Sequence, residues 1–161
     1  MNNSLLYKIR FKSWYVFVLM AVSLTACEAL KTAPYDQYSY QKTIEIKVDA
    51  SRLMDKAVTP YETHLEDIEA LFIEVEKIME YEKNKPNNEI TYAMWQILSD
   101  KEKNLLAGFF KRWNEQGSFS DTFLAESKAQ VMEAMDILIQ YEGRKDPESK
   151  NKLMNIITGN N

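Results

Sequence analysis

The chain has 161 residues, of which 45% are apolar and 27% are charged, a balance typical of a globular domain and unlike that of a disordered chain. Its single cysteine excludes an intramolecular disulfide framework and any metal knuckle built from several cysteines. Its single histidine excludes sites that need several histidines from one chain.

The first 26 residues have the layout of a secretory signal peptide. Lys8, Arg10 and Lys12 give a positive start, an apolar run follows, and no Asp or Glu occurs in residues 1–26. The apolar stretch 13–26 would extend only ~21 Å as a helix at about 1.5 Å per residue. A bilayer core is about 30 Å thick, so this stretch is too short for a permanent span.

The run Leu24-Thr25-Ala26-Cys27 resembles the lipobox of bacterial lipoproteins, in which an aliphatic residue and two small residues precede a cysteine. The resemblance implies cleavage between Ala26 and Cys27, diacylglycerol on the sulfur of Cys27 and often a fatty acid such as palmitate on the new amine. The alternatives are an ordinary cleaved signal or an uncleaved anchor in which Cys27 plays no part. Two acyl chains suffice for stable anchoring.

Cleavage at this point would leave an acidic chain. Residues 1–26 hold three of the 20 basic residues, so 17 remain against 24 acidic ones, a net charge of −7. This charge argues against nucleic acid as a partner, which needs a basic surface. It also argues against electrostatic adhesion to anionic lipid, so the lipid on Cys27 is expected to hold the protein on the membrane.

Residues 28–37 show no sustained period and are predicted to be a tether. The next segment, 38–48, alternates apolar and polar residues with one break at Lys42, which is the period of a half-buried strand. Without a second strand candidate it is open whether this segment lies across the helices as an extended arm, pairs with another molecule or is helical. The predicted organisation is therefore a signal peptide at 1–26, a lipidated cysteine with tether and possible arm at 27–48, and a helical domain at 49–161.

Helical signals begin at Asp49, and the apolar residues recur at spacings of three and four. Capping boxes open at Thr59 and Ser99, and a glycine suited to a helix C-terminus stands at position 143. The predicted helices are 50–58 with Asp49 as cap, Pro60–Glu82, 89–116 with a break near Ser99, Asp121–Glu142 after Ser118 or Ser120, and a short helix capped by Asp146.

The predicted helices Pro60–Glu82 and Asp121–Glu142 are about 34 and 33 Å long at ~1.5 Å per residue, and the broken segment 89–116 spans a similar distance. Short connections between them favour antiparallel packing, which hides three apolar stripes at once. The sequence predicts an all-α fold, a small antiparallel bundle of three main helices with short terminal helices.

No constellation points to catalysis. His64 and Asp67 stand on one side of a predicted helix, but acid–base or metal chemistry needs further ligands, and a solvated or partly packed histidine is the simpler interpretation. Gly-rich phosphate loops and nucleophile elbows are absent. Methionines such as Met132 and Met135 are predicted to fill gaps in the core. We expect no enzyme, no metal site and no cofactor beyond the lipid on Cys27.

An aromatic and basic cluster near Gly117 is the main candidate for partner binding. Its core residues are Phe110, Lys111, Arg112 and Trp113, and tryptophan and arginine are favoured anchors at interfaces. Packing of the aromatic rings at one end of the bundle is the alternative, and we favour it.

These observations predict a lipid-anchored protein of the bacterial cell envelope that acts as a non-enzymatic protein-binding or accessory module. An envelope protein is the expected partner. A small-molecule or metal-binding bundle is the alternative. Glu28 follows the cysteine where the resemblance would place an aspartate in lipoproteins kept at the inner membrane of enteric bacteria. In a host with two membranes, the periplasmic face of the outer membrane is therefore the predicted location.

Overall fold

The computed structural model describes residues 32–159, and every regular element in this range is a helix. The all-α helical bundle predicted from the sequence is confirmed. Ala26 and Cys27 lie outside the described residues. The helices are α1 (Gln37–Met54), two 3-10 turns (Asp55–Val58 and Tyr61–His64), α2 (Leu65–Lys83), α3 (Glu89–Leu98), α4 (Leu106–Gln116), α5 (Asp121–Arg144) and α6 (Pro147–Thr158).

Of the alternatives for residues 38–48, the helical one is correct and the extended arm is wrong, because this segment forms most of α1. The buried residues Ser39, Thr43, Ile46, Ala50 and Leu53 recur at helical spacings of four and three. Several of them are small or polar, so the buried face does not read as an apolar stripe. The hydroxyl of Thr43 donates to the carbonyl of Ser39 at 2.7 Å, which allows it to be buried.

Two other expectations for this region change with it. The helical unit begins at Ala33 rather than at residue 49, so the possible arm belongs to the bundle. Asp49 is an interior residue of α1, and the cap is Asp36, whose side chain accepts from the backbone N–H of Tyr38 at 2.9 Å.

Helix α1 lies between α2 and α5 and is antiparallel to both. Its start is joined to the end of α2 through Asp36 and Tyr81, and its middle through Lys42 and Glu74. On the other side, Lys47 pairs with Asp136 and Asp55 pairs with Lys128 of α5. Helix α1, which was not among the three predicted main helices, is therefore a long helix of the bundle beside α2 and α5.

Two helices begin later in the chain than predicted. The segment after Pro60 opens with a 3-10 turn before α2, and Leu65, the first residue of α2, is 52% exposed. The box at Ser99 opens no helix: Asp100 accepts from the backbone N–H of Glu102 in a turn, and α4 begins only at Leu106.

Gly143 does not end α5, which runs to Arg144 and is followed by Lys145 in the left-handed conformation at φ 52°. The glycine instead lets the ring of Tyr40 approach, since a Cβ at position 143 would lie 3.1 Å from Cε2 of that ring. Other caps are as predicted: Ser120 caps α5 and Asp146 caps α6, with Pro147 in its first turn.

The bundle has two distinct ends. We call one of them the entry end. There the chain enters α1, and the start of α1 contacts the C-terminal ends of α2 and α5. At the far end, α4 packs on the 3-10 turns, with Phe119 N–H donating to Ala57 O at 2.8 Å and Tyr61 N–H donating to Gly117 O at 3.1 Å. The core between them includes Trp95, Trp113 and Leu138, all fully buried.

Candidate functional site

Phe110 and Trp113, predicted for partner binding, belong to the core and not to the surface. Phe110 is 2% exposed and stacks edge-on with Phe72 at 5.5 Å, and Trp113 is 0% exposed. The indole N–H of Trp113 donates to the carbonyl of Thr59 at 2.9 Å. The partner-binding prediction is wrong for these two residues, and the alternative of bundle packing is correct.

Lys111 and Arg112 stand at the edge of this aromatic cluster and are partly exposed. Lys111 forms an ion pair with Glu102 at 2.7 Å, and Arg112 donates to Asn104 at 2.8 Å while its guanidinium lies over the ring of Phe123. Both side chains thus bind the segment that joins α3 to α4. No joint aromatic and basic surface is formed by the four residues, because the two rings point inward.

His64 and Asp67 use different partners. His64 Nε2 lies 2.8 Å from Thr59 Oγ1 and its ring packs at 5.6 Å from that of Trp113. Asp67 pairs with Lys56 at 2.9 Å, which lowers the pKa of the carboxyl group. Within residues 32–159, no group of three His, Cys, Asp or Glu side chains could hold a metal ion.

A cleft of about 650 Å³ opens between α5 and α6 and is closed at one side by the end of α3 and the segment before α4. Its lining combines an apolar floor with an amide-rich rim. The floor consists of Ile97, Leu105, Ala134, Ile137, Ile156 and Ile157, and the rim of Lys103, Asn104, Gln130, Glu133, Lys152 and Asn155.

This cleft, the α5–α6 cleft, has the composition of a binding groove rather than of a reaction site. A groove with an apolar floor and polar groups at the rim buries apolar side chains and fixes their orientation by hydrogen bonds. Lys152 already pairs with Glu148 at 2.9 Å, so Lys103 is the lining lysine that forms no ion pair within the described chain. The groove therefore suits an apolar ligand that carries a negative charge.

A second polar site lies inside the entry end. Glu82 of α2 and Glu142 of α5 are 1% and 0% exposed. Asn88 donates to Glu82 Oε2 and Thr91 donates to Glu142 Oε1, each at 2.5 Å. The second oxygen of each glutamate has no hydrogen-bond partner within the described chain, and neither has Oδ1 of Asn88.

Two lysines compensate these carboxylates unequally. Lys145, whose side chain is 7% exposed, pairs with Glu142 at 2.7 Å and lies over the ring of Tyr141. Lys85 pairs with Asp36 at 3.0 Å and is farther, 3.8 Å, from Glu82.

Burial shifts the pKa of two members of this buried cluster, Glu82 and Lys145, toward their neutral forms. Burial raises the pKa of Glu82, and the charge of Glu142 adds to this effect. Burial likewise lowers the pKa of Lys145. Through the hydrogen bonds of Asn88 with Glu82 and of Thr91 with Glu142, the cluster ties α2, α3 and α5 together at the entry end.

The spacing of the apolar residues in the sequence indicates that these two glutamates are buried. Glu82 follows Leu71, Val75 and Ile78 at helical spacing, and Glu142 follows Leu138 by four residues. Both therefore lie on the buried stripe of their helices, where an unpaired charge is costly. A glutamate in register with an apolar stripe indicates a buried polar partner.

No protein-family model matches the chain, and neither the curated proteins nor the solved structures contain a match to it. In residues 32–159, no helix has the length and apolar character needed to cross a membrane. The fold and the two sites must therefore be interpreted from their own geometry.

Proposed function

We propose that this chain is a lipid-anchored protein of the bacterial cell envelope whose helical domain is a non-enzymatic binding module. The anchor rests on Leu24-Thr25-Ala26-Cys27, which ends in the only cysteine of the chain. Ala33, where the helical unit begins, follows Cys27 by six residues, a span of at most ~22 Å at about 3.6 Å per residue. In a host with two membranes we place the protein at the periplasmic face of the outer membrane.

The α5–α6 cleft is the observation that supports binding. Its floor is apolar, and its rim carries Lys103, which has no acidic partner within the described chain, whereas Lys152 is paired with Glu148. We propose that it receives a segment of an envelope protein that presents apolar side chains and at least one carboxylate. Apolar anchors in a groove supply most of the affinity of such complexes, and charge complementarity selects the partner.

The anchor is tested on the protein from its native cell. Metabolic labelling with a palmitate analogue should mark the protein, and mass spectrometry should find diacylglycerol on Cys27. Cys27→Ser should lose the label, whereas Thr25→Ser, which keeps a small residue in the motif, should retain it. A bare Cys27 in the native protein would refute the anchor.

Site-specific crosslinking in the native cell tests the cleft. A photoreactive residue in place of Asn155, at the rim, should crosslink to one envelope protein, and the same residue in place of Glu76, exposed on α2, should not. Lys103→Glu should abolish the crosslink from position 155. Lys101→Glu makes the same charge change two residues away, outside the cleft lining, and should preserve it. Equal effects of both variants would contradict binding in the cleft.

A small molecule is the second candidate occupant, because about 650 Å³ falls within the ~300–1,000 Å³ typical of ligand pockets. Native mass spectrometry of the protein extracted from membranes separates the two proposals. A bound mass that is lost in Ala134→Phe, which fills the floor, would favour the small molecule over the protein partner.

A further inference from the structure

Three tyrosine rings are exposed at the entry end of the bundle. Tyr35, Tyr38 and Tyr81 are 55%, 47% and 41% exposed. The rings of Tyr38 and Tyr81 are 4.7 Å apart, and the ring of Tyr35 lies 6.1 Å from that of the half-buried Tyr40. We name Tyr35, Tyr38 and Tyr81 the tyrosine patch.

The patch is held on the folded domain. The hydroxyl of Tyr81 donates to Asp36 Oδ2 at 2.6 Å, and Asp36 also caps α1 and pairs with Lys85. The hydrogen bond with Asp36, together with burial, raises the pKa of Tyr81 to about 12. The Tyr81 ring is therefore uncharged at neutral pH and fixed against the start of α1.

The position of the patch along the chain limits its distance from the anchor. Tyr35 follows Cys27 by eight residues, which span at most about 29 Å when fully extended. Helix α1 alone is ~27 Å long, so the far end of the domain can stand much farther from the lipid than the patch can. The entry end is thus the end that an anchor on Cys27 keeps closest to a bilayer.

We propose that the tyrosine patch docks on the membrane surface and holds the entry end of the domain against the lipid headgroups. This inference rests on the proposed lipid anchor at Cys27. Tyrosine suits the headgroup region because its ring is apolar and its hydroxyl is polar. The net charge of −7 after cleavage offers no electrostatic attraction to anionic lipid, so a neutral aromatic contact is the kind this domain can make. The short tether makes even a weak contact effective, since it keeps the local concentration of membrane high.

The test uses the full-length protein purified from its native membranes and reconstituted in vesicles of phosphatidylcholine and phosphatidylglycerol. Gln37→Cys places a nitroxide label beside the patch, and Glu62→Cys places one at the far end; both positions are exposed. Accessibility to a water-soluble nickel relaxant should be several-fold lower for the label at position 37 than for that at 62. Tyr35→Ser with Tyr38→Ser should remove this protection, whereas the matched control Val48→Ser with Leu65→Ser, exposed apolar residues elsewhere, should leave it unchanged.

The outcomes separate this inference from the anchor. An acylated Cys27 cannot take the label, so two nitroxides per chain show that the anchor is absent, and one nitroxide on a chain whose mass includes diacylglycerol shows that it is present. One label per chain with equal nickel access at positions 37 and 62 overturns the docking of the patch and leaves the anchor standing. Two labels per chain overturn the anchor and the inference that rests on it. Dipolar broadening between labels at position 37 would show that the patch meets a second copy of the chain, and would also overturn membrane docking.

Discussion

The two buried glutamates should respond in opposite directions to the same isosteric substitution. Glu142 is the only carboxylate within salt-bridge distance of Lys145 in the described part of the chain, at 2.7 Å, and it also accepts from Thr91. Glu142→Gln would leave the ammonium of Lys145 buried without a counter-charge. Breaking a buried pair in this way costs about 3–5 kcal/mol, and we expect a loss of about 3 kcal/mol in the free energy of unfolding, since Lys145 can release its proton.

Glu82→Gln should instead raise the free energy of unfolding at pH 7. Its lysine neighbour, Lys85, keeps Asp36 at 3.0 Å, so no cation is left unpaired. The new amide N–H groups add donors to a cluster in which Oδ1 of Asn88 and Oε2 of Glu142 have no donor within the described chain. Removing a buried charge and adding one hydrogen bond should stabilise the domain by about 1 kcal/mol, the net contribution of a typical hydrogen bond.

Urea unfolding at pH 7 measures both changes, with the fluorescence of the buried Trp95 and Trp113 and the helical circular dichroism as two probes. Superimposable transitions from the two probes are the control that the unfolding is two-state. Equal losses in Glu82→Gln and Glu142→Gln would show that both glutamates are ionised and paired in the folded domain, which would refute the reasoning.

The effect of Glu82 on the free energy of unfolding should depend on pH, because its pKa is raised in the folded domain. The contribution of Glu82 to stability is complete below its ordinary pKa of 4.5 and is lost as the pH rises through the folded-state pKa. The gain from Glu82→Gln should therefore disappear in unfolding curves measured at pH 4. Gly108→Ala should lose at least ~2 kcal/mol in urea unfolding, although alanine favours helices, because its Cβ would lie 1.7 Å from the carbonyl oxygen of Lys103; unchanged stability would contradict this placement. Phe110→Ala should lose about 3–5 kcal/mol as a core truncation. The neighbouring Lys111→Ala removes only a surface ion pair with Glu102 and should leave the urea midpoint nearly unchanged. A similarly small loss of stability in both variants would show that Phe110 lies at the surface.

The parts of the fold that were predictable are those where local chemistry and burial agree. Ser120 and Asp146 stand before helices whose apolar residues follow the helical period, so the starts of α5 and α6 could be read directly. Helix α1 could not, because Ser39 and Thr43 occupy its buried face while Val48, which fitted the alternation, is 41% exposed. Tertiary contacts with α2 and α5 decide the conformation of this segment.

The candidate sites were less predictable, for two different reasons. The α5–α6 cleft is lined by residues from four segments that are separated in sequence, such as Ile97, Leu105, Ala134 and Ile156. No local sequence pattern therefore predicts it. The aromatic cluster around Phe110 was visible in the sequence, but composition alone cannot distinguish a binding surface from a core.

The entry end and the α5–α6 cleft are separated along α5, and this separation has a consequence for function. Gly143, against Tyr40, marks the entry end, whereas the cleft is lined by α5 from Gln130 to Ile137. At ~1.5 Å per residue the cleft therefore lies about 9–20 Å from Gly143 along the helix axis. A domain docked through the tyrosine patch would keep the cleft clear of the lipid headgroups and open to a partner. Substitutions in the patch should then weaken partner crosslinking on membranes, where orientation matters, and leave it unchanged in detergent; a loss in both would mean that the patch itself contacts the partner.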